Sequence, residues 1–348
     1  MNNEKRNTMA NYRFKIEDFF PKKLFYQITD VRVEEPESVV KHAQKRKRRN
    51  KLTRDGKLVI LAADHPGRRV TALRNDAIGM GDRYEYLGRV LRVITGEQFD
   101  GVMGTTDMVE DILIVDYLYE RKTGKSFLDG KVITGCMNRG GQAGSMYEME
   151  DGFTSFTPES LKKMSLDGGK MMYRFDPSDH GSLVTIKECA DAITQLGRLG
   201  LYAFVEPVTV EGKEKSHAFK TDIETLVRDV GAAAALGETS LGTWLKISYN
   251  GDFERIARST TLPVLLLGGP AKESPLDTIK AFAAAMKSAP NVRGAMVGRN
   301  VTFVKDDDPR AIAMALSMIV HEGYSTQDAM KYMDKNRGQE MDFFSTSF

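Results

Sequence analysis

Cysteine, histidine and long apolar runs are scarce in this sequence, and each shortage removes a class of protein. The 348 residues include two cysteines, Cys136 and Cys189, which form no C-x-x-C pair and no disulfide framework. Histidine occurs five times. Asp64 and His65 could share an ion, but no third ligand of suitable spacing accompanies them, so no metal site is expected. The first strong apolar run ends in Asp64-His65-Pro66-Gly67-Arg68 rather than G-x-G-x-x-G, which counts against the competing doubly wound open sheet; no cofactor is expected. No uncharged stretch approaches the roughly 20 residues that cross a bilayer. The opening residues lack the apolar core of a signal peptide, which points to a cytoplasmic protein with no membrane partner. Charge of one sign is also missing in excess: Lys plus Arg number 50 and Asp plus Glu 48, for a formal charge of +2. A dedicated nucleic-acid binder would be more basic, so any anion site must be local.

What remains is a chain with 41% apolar and 28% charged residues, suited to a globular core. Residues 1–52 read as a polar, mostly helical N-terminal extension ending in a basic run from Lys41 to Lys51. That run lacks interleaved aromatics, so it reads as a solvated helix face or a subunit contact rather than a nucleic-acid site. Residues 53–335 repeat one grammar, a short apolar run followed by a longer helix-like segment. The expected strands are Leu58 to Ala63, Gly101 to Gly104, Lys131 to Cys136, Met171 to Phe175, Leu201 to Val205, Trp244 to Ile247, Val264 to Leu267 and Gly294 to Val297. Eight continuous apolar strands alternating with helices imply an α/β fold, a single closed (β/α)8 TIM barrel with an N-terminal extension.

Between the strands, Leu183 to Leu196 has helical apolar spacing with Gly197 as a stop. Thr221 and Glu224 are spaced as a capping box. The interval from Gly140 to Gly169 reads as a loop with a short helix that covers the barrel mouth or meets another subunit. Residues 336–348 form a tail whose aromatics are expected to pack onto the body or a neighbour. A barrel with such terminal additions is expected to be a homo-oligomer.

In a parallel barrel the C-terminal strand ends face one cavity. The polar residues there are Asp64 and His65, Lys170, Arg174 and Asp176, Glu206, Lys246, Gly268 and Gly269, and Gly298 and Arg299. Lys246 lies in the apolar run Thr243-Trp244-Leu245-Lys246-Ile247-Ser248-Tyr249. Apolar burial lowers a lysine pKa and frees the amine as a nucleophile, so Lys246 is the candidate imine-forming residue. Lys170 or Arg174 would lower its pKa further by like-charge repulsion, and a carboxylate would move protons. Glycine-rich turns after the seventh and eighth strands offer backbone N–H groups to phosphate, with Arg299 adding charge.

The runs Ala62-Ala63-Asp64-His65-Pro66-Gly67, Trp244-Leu245-Lys246-Ile247-Ser248-Tyr249, Leu266-Leu267-Gly268-Gly269-Pro270 and Ala295-Met296-Val297-Gly298-Arg299-Asn300-Val301 occur in one order across residues 55–335. Together they resemble the DhnA-type class I aldolases, which include archaeal-type fructose-bisphosphate aldolases. A more distant likeness extends to class I tagatose-bisphosphate aldolases. The resemblance implies a metal-independent aldolase acting on a phosphorylated ketose or keto acid. It makes Lys246 the imine former, Asp64 a carboxylate at the substrate carbonyl, and the glycine turns with Arg299 the phosphate site. Lys170-Met171-Met172-Tyr173-Arg174 and Phe204-Val205-Glu206-Pro207 resemble the tagatose-bisphosphate branch, which implies Lys170 as an assistant and Glu206 as the proton-transfer residue. The archaeal fructose-bisphosphate pattern instead uses a tyrosine near the fourth strand, a role the sequence does not place on Tyr147 or Tyr173. A deoxyribose-phosphate aldolase, or a catalytically silent barrel binding sugar phosphate or RNA, remains open at this point.

Overall fold

A computed structural model describes residues 12–139, 143–212, 218–271 and 273–348. The first residues of the N-terminal extension and part of the loop beginning at Gly140 lie outside these ranges.

The strands are β1 (Leu58–Ala63), β2 (Gly101–Gly104), β3 (Val132–Cys136), β4 (Gly168–Phe175), β5 (Tyr202–Glu211), β6 (Ala218–Phe219), β7 (Thr243–Ser248), β8 (Val264–Leu267) and β9 (Val292–Val297). Eight pair in parallel in the order β4-β3-β2-β1-β9-β8-β7-β5, and a β4–β5 pairing closes the ring. This is the (β/α)8 barrel. The short β6 pairs antiparallel with the end of β5, so the sixth to eighth barrel strands are β7 to β9. Both β4 and β5 are longer than their apolar runs. Residues beyond those runs, Glu206 to Glu211 and Gly168 to Lys170, still join the ladder because neighbouring strands satisfy their backbone groups.

Alternation divides the barrel walls. Leu58, Ile60, Met103, Phe204, Leu265 and Met296 fill the interior, while Val59, Leu61, Val205, Leu245 and Leu266 belong to the larger layer beneath the helices. The interior side chains plug the barrel floor and leave the polar residues above them. The helix Ser182–Arg198 continues through Gly197 and is followed by Gly200 at φ 69°. Its buried stripe is Thr185, Cys189, Ala192, Ile193 and Leu196, so Leu183 faces outward. Asp222, not Thr221, caps Ile223–Ala234, its side chain accepting from the Thr225 N–H. The helix starts one residue later than the spacing predicts, which puts the Asp222 carboxylate at the position from which it reaches the free amide of Thr225.

The extension is more than a polar appendage. Phe14, Ile16, Phe19, Phe20 and Leu24 are buried in the main core. The tail inserts Phe344 edge-on against Phe19 and Tyr119, and Arg92 ties it down by pairing with Asp308 at 2.8 Å and donating to the Gln339 and Glu340 carbonyls. The basic run turns inward rather than presenting one solvated face. Arg46 donates to the Lys131 carbonyl, Arg48 pairs with Asp167 at 3.0 Å, and Arg49 pairs with Asp100 at 2.8 Å. These guanidinium groups satisfy backbone oxygens and carboxylates at the barrel floor. Among the described residues, no helix is long and apolar enough to cross a membrane.

On the same floor, His321 bridges Asp55 at 3.0 Å and Asp100 at 2.9 Å. Burial opposes its protonation, but hydrogen bonds and charge from the two aspartates win and raise its pKa above the ordinary value. The resulting stability is fully present below the unfolded histidine value of about 6.5 and is lost as pH rises through the higher folded value. Wild type should therefore exceed His321→Asn in thermal midpoint more at pH 6 than at pH 9. A constant difference across that range would exclude the ionic clasp.

Candidate active site

Register brings the candidate residues together. Met172 on β4 is level with Glu206 on β5, and Phe204 is level with Trp244 on β7. Two residues further along, Glu206 and Lys246 share one layer, while Lys170, level with Phe204, sits one layer nearer the floor. All three point inward because they share parity with the interior residues Phe204 and Trp244. Asp64 enters from the first residue after β1.

The result is a compact ionic cluster in a nearly sealed interior. Glu206 Oε2 lies 2.7 Å from Lys170 Nζ and 3.0 Å from Lys246 Nζ. Lys170 Nζ is 3.5 Å from Asp64 Oδ2, and Arg68 Nη1 is 3.4 Å from the same oxygen. Lys170 has 0% exposure and Lys246 3%, which excludes the snorkelling, solvent-facing arrangement open to a strand lysine.

The two amines differ. Burial is the largest influence on Lys246 and lowers its pKa; Lys170 adds repulsion, and the attraction of Glu206 does not cancel the sum. Burial acts the same way on Lys170, but Glu206 and Asp64 together outweigh it and raise its pKa. Lys170 is thus the held ammonium and Lys246 the amine more readily deprotonated. Burial alone would raise Glu206, yet Lys170, Lys246 and Arg68 hold it far below the usual carboxylate range. Asp64 is also held well below that range, burial being overcome by Lys170 and Arg68. The cluster therefore contains ionised carboxylates beside one poised amine.

His65 lies over Asp64, Nδ1 to Oδ1 3.9 Å, and burial lowers its pKa to about 3, leaving a neutral imidazole. Among the described residues no group of three or more His, Cys, Asp or Glu side chains could hold a metal ion. Cys136 donates to the Asn138 carbonyl at 2.8 Å, and burial pushes its thiol up to about 12, so it stays protonated.

Gly268, Gly269, Gly298 and Arg299 gather at the ends of β8 and β9. A Cβ on Gly268 would lie 2.2 Å from Asn300 Oδ1, and one on Gly298 would lie 2.6 Å from His65 Cε1. Asn300 is fully buried, and neither end of its amide has a hydrogen-bond partner among the described residues. Ser248, Tyr249, Gly268, Gly269 and Thr278 line one cavity beside these turns.

Arg174 is placed differently from the expectation that it tunes Lys246. Its guanidinium pairs with Glu148 from the loop over the mouth and lies 5.8 Å from the Phe219 ring, and the forces setting the Lys246 pKa come from burial, Glu206, Lys170 and Asp64. Asp176 accepts from Ser178 and caps a turn beyond β4. Tyr173 has the opposite parity to Lys170, faces the helical layer and stacks on Phe175, so it does not reach the amines; Tyr147 is exposed. Sequence reasoning missed Arg68 and Asn300 as site residues, although both lie within the quoted motifs. The signal for Arg68 was its position four residues after Asp64 across a Pro-Gly turn, which lets it fold back onto that carboxylate.

Residues 56–317 match the Cgl0159-like family. The solved structure of Cgl0159 from Corynebacterium glutamicum is 31% identical, spans 88% of this chain and 99% of its own, and superposes with a TM-score of 0.80. The chain belongs to the Cgl0159-like family. The fold extends further: an archaeal fructose 1,6-bisphosphate aldolase, 20% identical, covers 82% of this chain and 100% of its own with a TM-score of 0.52. The (β/α)8 barrel is therefore shared with that aldolase. A 2-amino-3,7-dideoxy-D-threo-hept-6-ulosonate synthase from Archaeoglobus fulgidus is 33% identical over 110 residues, which span 32% of this chain and 40% of that relative.

Proposed function

We propose that the protein is a class I aldolase that cleaves or forms a phosphorylated ketose or keto acid through an imine on Lys246. The observation that carries this reading is the single oxygen of Glu206 shared by two buried amines at 2.7 and 3.0 Å, one amine held protonated and the other with its pKa lowered. Neutral Lys246 attacks the substrate carbonyl carbon, forming a C–N bond and a carbinolamine. Loss of water with proton transfer gives the iminium, which draws in the electrons of the bond between the α and β carbons as that bond breaks, leaving an enamine that is protonated at the α carbon and hydrolysed to free the lysine. The hydroxyl on the departing fragment must surrender its proton as it becomes an aldehyde, and we assign that proton to Glu206, the carboxylate beside Lys246. Lys170 remains an ammonium and fixes the orientation of Glu206 and Asp64.

The glycine turns after β8 and β9 would suit phosphate, with backbone N–H groups and Arg299 as donors at turns where a Cβ has no room on Gly268 or Gly298. The unmatched amide of Asn300 supplies a further polar group there. The resemblance of the barrel to an archaeal fructose 1,6-bisphosphate aldolase and the local match to a heptulosonate synthase support the same chemistry. Gly268→Ala forces the Asn300 amide to move. It is expected to raise KM for a phosphorylated substrate about tenfold or more, with a smaller effect on kcat; an unchanged KM would remove the turn from the phosphate site.

The reading is tested by incubating the protein with phosphorylated ketones, reducing with borohydride and mapping the adduct by mass. A reduced adduct on Lys246 is expected, and one on Lys170 would reverse the assignment of the two lysines.

A further inference from the structure

We propose that Arg68 selects the aldehyde half of the substrate by pairing with an anionic group on it, a carboxylate or a phosphate ester. This rests on the imine reading above. Arg68 ends the short turn Pro66–Arg68 after β1, which closes through Arg69 at φ 60° and its N–H bond to the Pro66 carbonyl. The turn sends the side chain across the barrel mouth. One end of the guanidinium is 3.4 Å from Asp64 Oδ2, and the other is 3.1 Å from Met172 Sδ on β4.

Those contacts leave a permanently charged group short of acceptors. The side chain is 11% exposed, its Nε has no hydrogen-bond partner among the described residues, and a thioether is a weak acceptor. Asp64 is shared with Lys170. Lys170, Lys246 and Arg68 gather around the carboxylates of Asp64 and Glu206, with the charge of Asp151 also reaching Arg68, and once Lys246 carries the iminium its charge persists. A buried guanidinium with spare donors is the arrangement that rewards an incoming carboxylate or phosphate oxygen.

Ring position decides which half of the substrate it meets. In the closed order β1-β2-β3-β4-β5-β7-β8-β9, β4 is opposite β9. The phosphate turns follow β8 and β9, beside Lys246 on β7, so the phosphate belongs to the fragment that stays on the lysine. A chain running from those turns through the imine carbon continues toward β4, beneath Arg68. The fragment released there carries the anion.

The test uses dihydroxyacetone phosphate as donor with three sets of aldehydes: semialdehyde acids of two to four carbons, glyceraldehyde 3-phosphate, and the neutral propanal and glyceraldehyde. Wild type is expected to prefer one anionic set over the neutral set by about a hundredfold in kcat/KM, and the preferred set distinguishes carboxylate from phosphate. Arg68→Leu should lower the anionic rates about a hundredfold more than the neutral rates, with Arg68→Lys retaining part of the preference. A purely structural role would lower both sets equally and overturn the proposal, as would a wild type without charge preference, while borohydride trapping of the donor on Lys246 would leave the imine reading intact. Absence of any trapped adduct with phosphorylated ketones would overturn both.

Discussion

Lys246→Met is expected to lower turnover by roughly ten-thousandfold or more and to abolish borohydride trapping, while leaving the protein folded. Methionine matches the length of the lysine stem without its charge. Glu206 keeps an ion-pair partner, because Lys170 stays at 2.7 Å, so the substitution does not strand a buried carboxylate. Lys170 does not substitute as nucleophile: Glu206 and Asp64 hold its amine protonated against the opposing effect of burial. Rates, trapping and the thermal midpoint should be measured on the same preparation. Turnover above about one percent of wild type in a folded variant would show that the essential amine lies elsewhere.

Glu206→Leu should damage both chemistry and stability. The shared oxygen disappears, and two amines remain in the sealed interior with only Asp64 close to Lys170. Breaking buried ionic contacts in this way costs about 3–5 kcal/mol, and loss of a positioned proton-transfer group costs roughly 10²- to 10⁴-fold in rate. The pH dependence separates these effects. In wild type the depressed Glu206 pKa contributes stability that is present above the unfolded carboxylate value of about 4.3 and is lost as pH falls through the folded value. In the variant the lysines have lost their main attraction, so Lys246, already lowered, falls further and the raised Lys170 value drops toward or below the unfolded value of about 10.4, and charge becomes the burden. Its stability deficit should therefore shrink as pH rises from 7 toward 10. Thermal midpoints of both proteins across pH 5 to 10 check this, and a pH-independent deficit would show that the loss comes from packing alone.

The sequence by itself determined the barrel, because eight apolar runs separated by helical segments admit few closed arrangements and each run is buried on both faces. It also nominated Lys246, Lys170, Glu206 and Asp64, since charged residues at the ends of such runs share one mouth. Tertiary structure decided how the two lysines differ, Lys170 held as an ammonium and Lys246 with its pKa lowered. That difference depends on Asp64 arriving from β1 to stabilise the Lys170 ammonium, an interaction across 106 residues that local pattern does not encode. Structure likewise moved Arg174 to Glu148, aimed Tyr173 at the helical layer, and turned the basic run Arg46 to Arg49 into a clamp on the barrel floor. Each depends on strand register or a distant partner. Arg68 marks the same boundary: its residues were in plain view, but only the closed ring places its guanidinium opposite β9 with donors to spare.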